Sequence, residues 1–225
     1  MMLSDRRDAG RQLAKRLLLR NYENPVVLAL PRGGVPVGYE IALALAAPLD
    51  LILVRKIGAP QQEELAVGAI ADGDQPEWVT DPQRIQDLGI TEAYVDQAKA
   101  TALREIERRR RAYCGDRSPA DVAGRTAIVV DDGIATGSTM RAALLAVRRR
   151  KPAKLVLVVP VAPDDTLRRL CHDVDEVVCL ETPADFYAVG QFYEDFSQLR
   201  DEEVTALLTQ AHALVRPCVN QGKCR

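Results

Sequence analysis

The sequence predicts an α/β protein built on a Rossmann-like parallel sheet flanked by helices. Short continuous apolar runs, which are typical of strands buried on both faces, alternate with stretches of helical periodicity along the 225-residue chain. This alternation favours parallel strands joined by right-handed crossovers. The apolar runs that predict strands are residues 26–30, 49–54, 127–130, 155–159 and 177–180.

Helical segments precede, separate and follow these runs. The first helix is predicted at residues 4–20, with Ser4 as its cap and Leu13, Leu17 and Leu18 on one face. A second helix opens after Gly33 and Gly34. The remaining predicted helices are residues 91–113, 138–150, 164–171 and 201–215.

Short strands are predicted at residues 67–70 and 78–80. A loop is predicted from Arg55 to about Gln62, because Gly58 and Pro60 are breakers. The length fits a single domain over residues 1–215, and residues 216–225 are predicted to be an irregular tail.

Composition and charge exclude several classes of protein. The net charge is −2, which disfavours a general nucleic-acid coat. No apolar run approaches the roughly 20 residues that span a bilayer, and the charged N-terminus does not resemble a signal peptide. We therefore expect a cytoplasmic protein without a membrane partner. The five cysteines form no C-x-x-C pair and there are two histidines, so we expect reduced thiols and no zinc site.

The segment that carries chemistry is AIVVDDGIATGST, residues 127–139. Two adjacent carboxylates, Asp131 and Asp132, end a strand, and a loop of small and hydroxyl-bearing residues leads into a helix. The free N–H groups and positive dipole end of that helix form a cradle for a phosphate dianion. The two carboxylates suit a pair of vicinal hydroxyls. A phosphate and a diol about one sugar apart describe a ribose 5-phosphate.

The same stretch resembles the 5-phosphoribosyl 1-pyrophosphate (PRPP) motif of type I phosphoribosyltransferases. The resemblance implies the type I phosphoribosyltransferase fold, with a core at about residues 22–182 and a small hood formed by the N-terminal helix and residues 183–215. It also implies that Asp131 and Asp132 bind the ribose 2- and 3-hydroxyls. The residues implied to bind the 5-phosphate of PRPP are Ala135, Thr136, Gly137, Ser138 and Thr139.

Two further stretches resemble parts of the same family. Arg32, Gly33 and Gly34 are similar to its pyrophosphate loop; a glycine pair at a strand end forms either an anion nest or an ordinary turn. Arg55 and Lys56 resemble the Arg-Lys segment of adenine and orotate phosphoribosyltransferases, which implies pyrophosphate contacts; the alternative is a pair of surface cations. The resemblance thus implies Asp131, Asp132, Arg55 and Lys56 as catalytic residues.

More narrowly, the blocks ALPRGGVPVG, VVDDGIATGSTM and FYAVGQFYEDFSQ resemble a bacterial subgroup of phosphoribosyltransferase-domain proteins. Hypoxanthine-type members place an Asp where Ala135 stands and a Lys after the next strand, where residues 159–163 hold none. These departures weaken a hypoxanthine or guanine assignment. The aromatic loop at residues 186–196 is either a hood that stacks on an acceptor or a small satellite core.

The function implied by the resemblance is magnesium-dependent transfer of the 5-phosphoribosyl group from PRPP to a nitrogen acceptor, a nucleobase or similar molecule, with release of pyrophosphate. Mg²⁺ is expected to be held mainly by PRPP and water, without a direct protein ligand. Relatives of this fold are often dimers, so a homodimer is expected.

The alternative is a regulator that binds PRPP and acts on nucleic acid without significant catalysis. The basic runs at residues 108–111 and 148–151 would then form the nucleic-acid face, against the slightly acidic net charge. The bland interpretation of the first run is a solvated face near a helix C-terminus. A purely assembling subunit fits least well with the acid pair and phosphate loop.

Overall fold

The computed structural model describes residues 2–60, 62–72, 76–80 and 82–215. Its strands are, in chain order, β1 (Pro25–Ala29), β2 (Leu49–Leu51), β3 (Val54–Ala59), β4 (Gln62–Ala71), β5 (Glu77–Thr80), β6 (Thr126–Val130), β7 (Lys154–Val161) and β8 (Glu176–Glu181). Among these residues, a parallel five-stranded sheet has the order β2-β1-β6-β7-β8. The predicted parallel α/β sheet is therefore confirmed.

Helices cover both faces of this sheet because its strand residues are apolar on both sides. The helices are α1 (Arg6–Leu17), α2 (Gly34–Ala44), α3 (Pro82–Asp87), α4 (Glu92–Cys114), α5 (Ser138–Arg149), α6 (Asp164–Leu170) and α7 (Asp201–Val215). Helices α1 and α2 pack with Val27 and Ile128 on one face. Helix α5 packs with Leu28 and Val129 on the other. This two-sided burial explains the continuous apolar runs.

A smaller antiparallel sheet, in the order β3-β4-β5, follows the second strand of the main sheet. The prediction of a loop from Arg55 to about Gln62 was wrong, because β3 and β4 form a hairpin there. Gly58 lies at a register irregularity within this hairpin, so this breaker marks a bulge rather than a loop. Ile57 and Ala59 are buried against α4 and α7, which explains why the segment is ordered as strand.

The first helix begins later than the sequence predicts. The cap is Asp5, whose carboxylate accepts a hydrogen bond from the backbone N–H of Asp8 at 2.6 Å. Ser4 instead uses its backbone carbonyl to accept from the N–H of Asp195 at 3.0 Å. The helix ends at Leu17, so the prediction of a helix over residues 4–20 with a Ser4 cap was wrong at both ends. The backbone at Ser4 thus pairs with the segment at Asp195, a long-range contact that the local sequence pattern does not indicate.

The arginine run of α4 is not a uniformly solvated face. The guanidinium of Arg110 lies on the carboxylates of Asp50 at 2.8 Å and Asp72 at 2.7 Å, with all three side chains largely buried. Asp72 also accepts from the backbone N–H of Leu53 at 2.8 Å, which closes the base of the hairpin. Arg108 and Arg109 pair with Glu105 on the same helix. This part of the run therefore anchors the small sheet to the main one.

Replacing Arg110 with alanine is expected to lower the free energy of unfolding by about 3 kcal/mol, because two buried carboxylates lose their cation. Chemical denaturation measures this change. The matched control is Arg108→Ala on the same helix, whose solvent-exposed pair with Glu105 is expected to contribute little to stability. Equal losses in the two variants would contradict an anchoring role for Arg110.

The described helices include none that is both long enough and apolar enough to cross a bilayer. The predicted irregular tail at residues 216–225, with Cys218 and Cys224, lies outside the described residues. Within them, Cys114, Cys171 and Cys179 are free thiols.

Candidate active site

Asp131 and Asp132 follow directly after β6, at the carboxyl edge of the main sheet. Oδ1 of Asp131 accepts a hydrogen bond from the backbone N–H of Asp132 at 2.9 Å, and Oδ2 of Asp132 accepts from Nε of Arg6 at 2.7 Å. The two carboxyl groups also interact with each other through a side-chain hydrogen bond. They therefore form one acid pair at the carboxyl edge of the sheet.

The electrostatics of the pair are asymmetric. Desolvation of the Asp131 carboxyl, together with the negative charge of Asp132, raises the pKa of Asp131 well above its usual range. The cation of Arg6 acts in the opposite direction on the same group. Burial beside a second carboxylate therefore favours the protonated form of Asp131.

The glycine pair lies against these carboxylates. The turn after β1 is held by the N–H of Leu30 donating to the carbonyl of Val130 at 2.9 Å. A Cβ atom built on Gly33 would overlap the carboxylate of Asp132, and one built on Gly34 would lie 2.7 Å from the carbonyl oxygen of Val130. Only glycine permits this close approach between the turn and the acid pair.

Arg32 precedes the glycine pair and is partly exposed. The Pro31–Arg32 peptide bond is cis. Nη1 of Arg32 lies 3.8 Å from Oδ1 of Asp201 at the start of α7, a loose contact that leaves the guanidinium exposed beside the turn. Arg32 thus directly precedes the glycine turn that packs on the acid pair, and its guanidinium lies towards Asp201.

The loop from Ala135 to Thr139 opens α5. Gly137 has φ of +79° and serves as the N-cap without a side-chain hydrogen bond, so the first-turn N–H groups of α5 have no capping side chain. Ala135, Thr136 and Ser138 are exposed, and the two hydroxyls lie 3.4 Å apart. The hydroxyl of Thr166 donates to the carbonyl of Ala135 at 2.9 Å and steadies the loop.

Arg55 and Lys56 are adjacent on β3, so their side chains leave opposite faces of the strand. Arg55 borders a cavity of about 40 Å³ together with Pro31 and Thr139. Lys56 borders a separate cavity of about 240 Å³ together with Ser138, and Arg84 and Arg141 also line it. The structure brings each cation to the region of the glycine turn and the α5 loop, but not into one cluster.

Two contacts on the acid pair come from residues that sequence reasoning did not select. Arg6 reaches Asp132 from α1, and the hydroxyl of Tyr193 donates to the backbone carbonyl of Asp132 at 2.6 Å. Burial raises the pKa of Tyr193 above its ordinary value, and the charge of Asp132 adds to the effect, so the hydroxyl stays a donor. Arg6 lies in an ordinary charged helix start, which carries no local signal for such a contact.

Most rings of the aromatic loop pack into the core, as the satellite-core alternative predicts. Tyr193, Phe192 and Phe196 join the core cluster beneath α1 and α2. Phe186 lies near Phe192, with ring centroids 5.4 Å apart. Tyr187 is almost fully exposed, and stacking of this loop on an acceptor stays a prediction.

Comparison with known proteins decides the family. A model of the phosphoribosyl transferase domain matches residues 3–197. This chain belongs to the phosphoribosyl transferase domain family. A Mycobacterium tuberculosis H37Rv protein, provisionally named a phosphoribosyl transferase, is 46% identical over 211 residues, which cover 94% of this chain and 47% of that protein. The same figures hold for its counterpart in strain CDC 1551.

A solved structure has the same fold as this chain. The crystal structure of a protein from Thermus thermophilus is 41% identical, has a TM-score of 0.83, and the match covers 93% of this chain and 99% of that one. The phosphoribosyl transferase domain described here spans about half the length of the curated relatives it matches.

The acid pair of this phosphoribosyl transferase domain also has the donor chemistry that Mg²⁺ prefers. Carboxylate oxygens are hard donors of the kind that Mg²⁺ prefers. Over the described ranges, no group of three or more His, Cys, Asp or Glu side chains gathers to hold a metal ion. The acid pair suits a site in which Mg²⁺ is held mainly by a phosphorylated ligand and by water, and in which the pair contacts that ligand.

Proposed function

We propose that this domain binds PRPP and transfers its 5-phosphoribosyl group to a nitrogen acceptor with release of pyrophosphate. The observation that carries the proposal is the pairing of two adjacent carboxyl groups, Asp131 and Asp132, with an uncapped helix start at Gly137. Two acceptors suit the 2- and 3-hydroxyls of ribose, and the helix start suits its 5-phosphate. Family membership supports the same conclusion.

In this proposal, the phosphate groups of PRPP are divided between two regions. Ala135, Thr136, Gly137, Ser138 and Thr139 surround the 5-phosphate. Arg32, the Gly33–Gly34 turn and Arg55 hold the pyrophosphate, because Arg55 shares a cavity wall with Pro31. The sequence assigned Lys56 to the pyrophosphate as well. Its position beside Ser138 favours a contact nearer the 5-phosphate.

The protein's part in the reaction is to hold geometry and to stabilise charge. The bond between C1 and the pyrophosphate oxygen breaks, the pyrophosphate keeps the electron pair, and the acceptor nitrogen forms the new bond to C1. Arg32 and Arg55 stabilise the negative charge that develops on the leaving group. Asp131 and Asp132 anchor the sugar and stabilise its developing positive charge. Mg²⁺, when bound with PRPP, supplies further neutralisation of the pyrophosphate.

The acceptor class is a nucleobase or a similar nitrogen compound. Ala135 offers no acid to a purine nitrogen, and its carbonyl is already occupied by the hydroxyl of Thr166. The segment after β7 holds no lysine. These two features argue against the hypoxanthine mode of base recognition and leave the exposed Tyr187 as a stacking surface.

The regulator alternative rests on the basic runs. Arg110 forms ion pairs with Asp50 and Asp72, and Arg148 forms an ion pair with Asp175. These ion pairs reduce the charge that a nucleic acid would meet. We therefore favour the transferase, and a homodimer remains the expected assembly, which light scattering after size exclusion tests.

Calorimetric titration of the protein with PRPP, with and without Mg²⁺, tests the proposal. We expect saturable binding that strengthens with Mg²⁺ and that ribose 5-phosphate and pyrophosphate each inhibit by competition. Absence of PRPP binding in a folded sample would reject the proposed function. Salt-sensitive binding of nucleic acid, with PRPP binding but no turnover, would favour the regulator.

Replacing Lys56 with glutamine is expected to weaken PRPP binding about tenfold, because a cation beside the α5 loop is lost. Titrations with ribose 5-phosphate and with pyrophosphate alone locate the contact. We expect the ribose 5-phosphate affinity to fall and the pyrophosphate affinity to stay unchanged. Lys15→Gln, an exposed lysine of α1, is the charge-matched control. If only the affinity for pyrophosphate fell, Lys56 would be assigned to the residues that bind pyrophosphate.

A further inference from the structure

The guanidinium of Arg6 is fixed on three sides. Its Nε donates to Oδ2 of Asp132 at 2.7 Å, and its Nη1 donates to the backbone carbonyl of Ser197 at 2.9 Å. Its Cζ lies 3.9 Å from the ring centroid of Phe196. The side chains of Arg6 and Asp132 are only 11% and 14% exposed. This contact is therefore an ordered, largely buried ion pair, unlike a mobile surface pair.

The backbone that carries Arg6 is tied to the segment that carries Phe196. The N–H of Leu3 donates to the carbonyl of Phe192 at 2.9 Å, and the N–H of Glu194 donates back to the carbonyl of Leu3 at 2.8 Å. Tyr193, between them, binds the backbone carbonyl of Asp132 through its hydroxyl. The chain start and the segment at residues 192–197 thus form one brace that contacts Asp132 at both its side chain and its backbone.

We propose that Arg6 is a positioning residue for the ribose-diol site, which holds the Asp132 carboxylate so that Oδ1 faces the ligand. The inference rests on the proposed PRPP function and adds a residue outside the PRPP motif. The guanidinium of Arg6 is held by its contacts with Phe196 and with the carbonyl of Ser197. Its Nε bond to Oδ2 of Asp132 therefore fixes the plane of that carboxylate. The remaining oxygen is then oriented before the sugar arrives.

The contact made by Arg6 predicts which fragment of PRPP its loss affects. Arg6 bonds to Asp132, the proposed partner of a ribose hydroxyl, whereas the pyrophosphate is proposed to bind at Arg32, the glycine turn and Arg55. Loss of Arg6 should therefore weaken the binding of ribose 5-phosphate and leave the binding of pyrophosphate unchanged.

The test compares Arg6→Gln, Arg6→Lys and Arg7→Gln. Arg7 is the matched control, because it also forms a 2.6 Å ion pair from the start of α1, but with Glu40. Calorimetric titration with PRPP and Mg²⁺, and with ribose 5-phosphate and pyrophosphate separately, measures affinity. In Arg6→Gln we expect about tenfold weaker binding of PRPP and of ribose 5-phosphate, with pyrophosphate binding unchanged. Arg6→Lys should restore much of this affinity, and Arg7→Gln should match the parent protein.

A second readout does not depend on PRPP. Nitrogen-15 NMR of the free protein follows the Nε–H of Arg6, which should exchange slowly with water in the parent protein and faster in Asp132→Asn, where its carboxylate partner is lost. If the parent protein fails to bind PRPP while this Nε–H exchanges slowly, the proposed function is rejected and the contact stands. If PRPP binds and Arg6→Gln changes the affinity for neither PRPP nor ribose 5-phosphate, the positioning role is overturned. Thermal unfolding confirms that each variant is folded.

Discussion

Replacing Asp131 and Asp132 together with asparagine is expected to abolish measurable PRPP binding while the protein stays folded. The carboxyl groups of Asp131 and Asp132 are the proposed acceptors for the ribose hydroxyls. Loss of two hydrogen bonds to charged acceptors corresponds to roughly 3–6 kcal/mol, or about 10²- to 10⁴-fold in affinity. Removing two adjacent like charges also removes their mutual repulsion, which limits the loss of folding stability. Calorimetric titration with PRPP measures the effect.

The chain supplies a matched control for this variant. Asp164 and Asp165 are also adjacent carboxylates, at the start of α6 just after β7, and they pair with Arg168 and Arg169 on their own helix. Their replacement by asparagine removes the same formal charge without touching the acid pair. We expect unchanged PRPP affinity there. A folded Asp131→Asn, Asp132→Asn protein that binds PRPP like the parent would refute the ribose assignment.

Replacing Gly33 with alanine is expected to weaken PRPP binding about 100-fold. The new methyl group would overlap the carboxylate of Asp132, so either the turn or the carboxylate must move. Both responses disturb the proposed site: a moved turn displaces the pyrophosphate nest, and a moved carboxylate breaks the contact with Arg6. Binding of pyrophosphate alone reports the first response, and binding of ribose 5-phosphate reports the second.

Gly38→Ala separates this effect from a general loss of stability. A Cβ atom at Gly38 would lie 3.1 Å from the Cβ of Ala29 and 3.2 Å from Cδ1 of Leu49, inside the core and away from the acid pair. We expect that variant to unfold more easily and to bind PRPP normally once folded. If Gly33→Ala kept parental affinity for both fragments, the close packing of the turn on Asp132 would have no role in binding.

Motifs whose chemistry is contiguous in sequence were predictable. Asp131, Asp132 and the loop to Thr139 are contiguous in sequence and form one strand-loop-helix unit, so the sequence alone predicted this arrangement and suggested a phosphate beside a diol. The buried strands were equally visible, because both faces of the main sheet are covered and the apolar runs are continuous. Family membership then confirmed what the motif resembles.

Features that depend on distant segments were not predictable. The contact of Arg6 with Asp132 joins residues 126 positions apart, and nothing near Arg6 marks it. Asp5 caps α1 in place of Ser4, whose backbone carbonyl accepts a hydrogen bond from Asp195. Arg110 is buried because its guanidinium pairs with Asp50 and Asp72. The family resemblance implied pyrophosphate contacts for both Arg55 and Lys56. In the structure they are neighbours on β3, so their side chains lie on opposite faces of the strand and border separate cavities. In each case tertiary pairing decided the outcome.

Pyrophosphate release from PRPP with Mg²⁺, measured across a panel of free nucleobases and small amines, tests the central claim most directly. The account predicts release with at least one acceptor, lost on chelation of Mg²⁺ and lost in the Asp131→Asn, Asp132→Asn variant. Such a result would name the acceptor as well as the reaction. A folded protein that neither binds PRPP nor releases pyrophosphate with any acceptor would contradict the account.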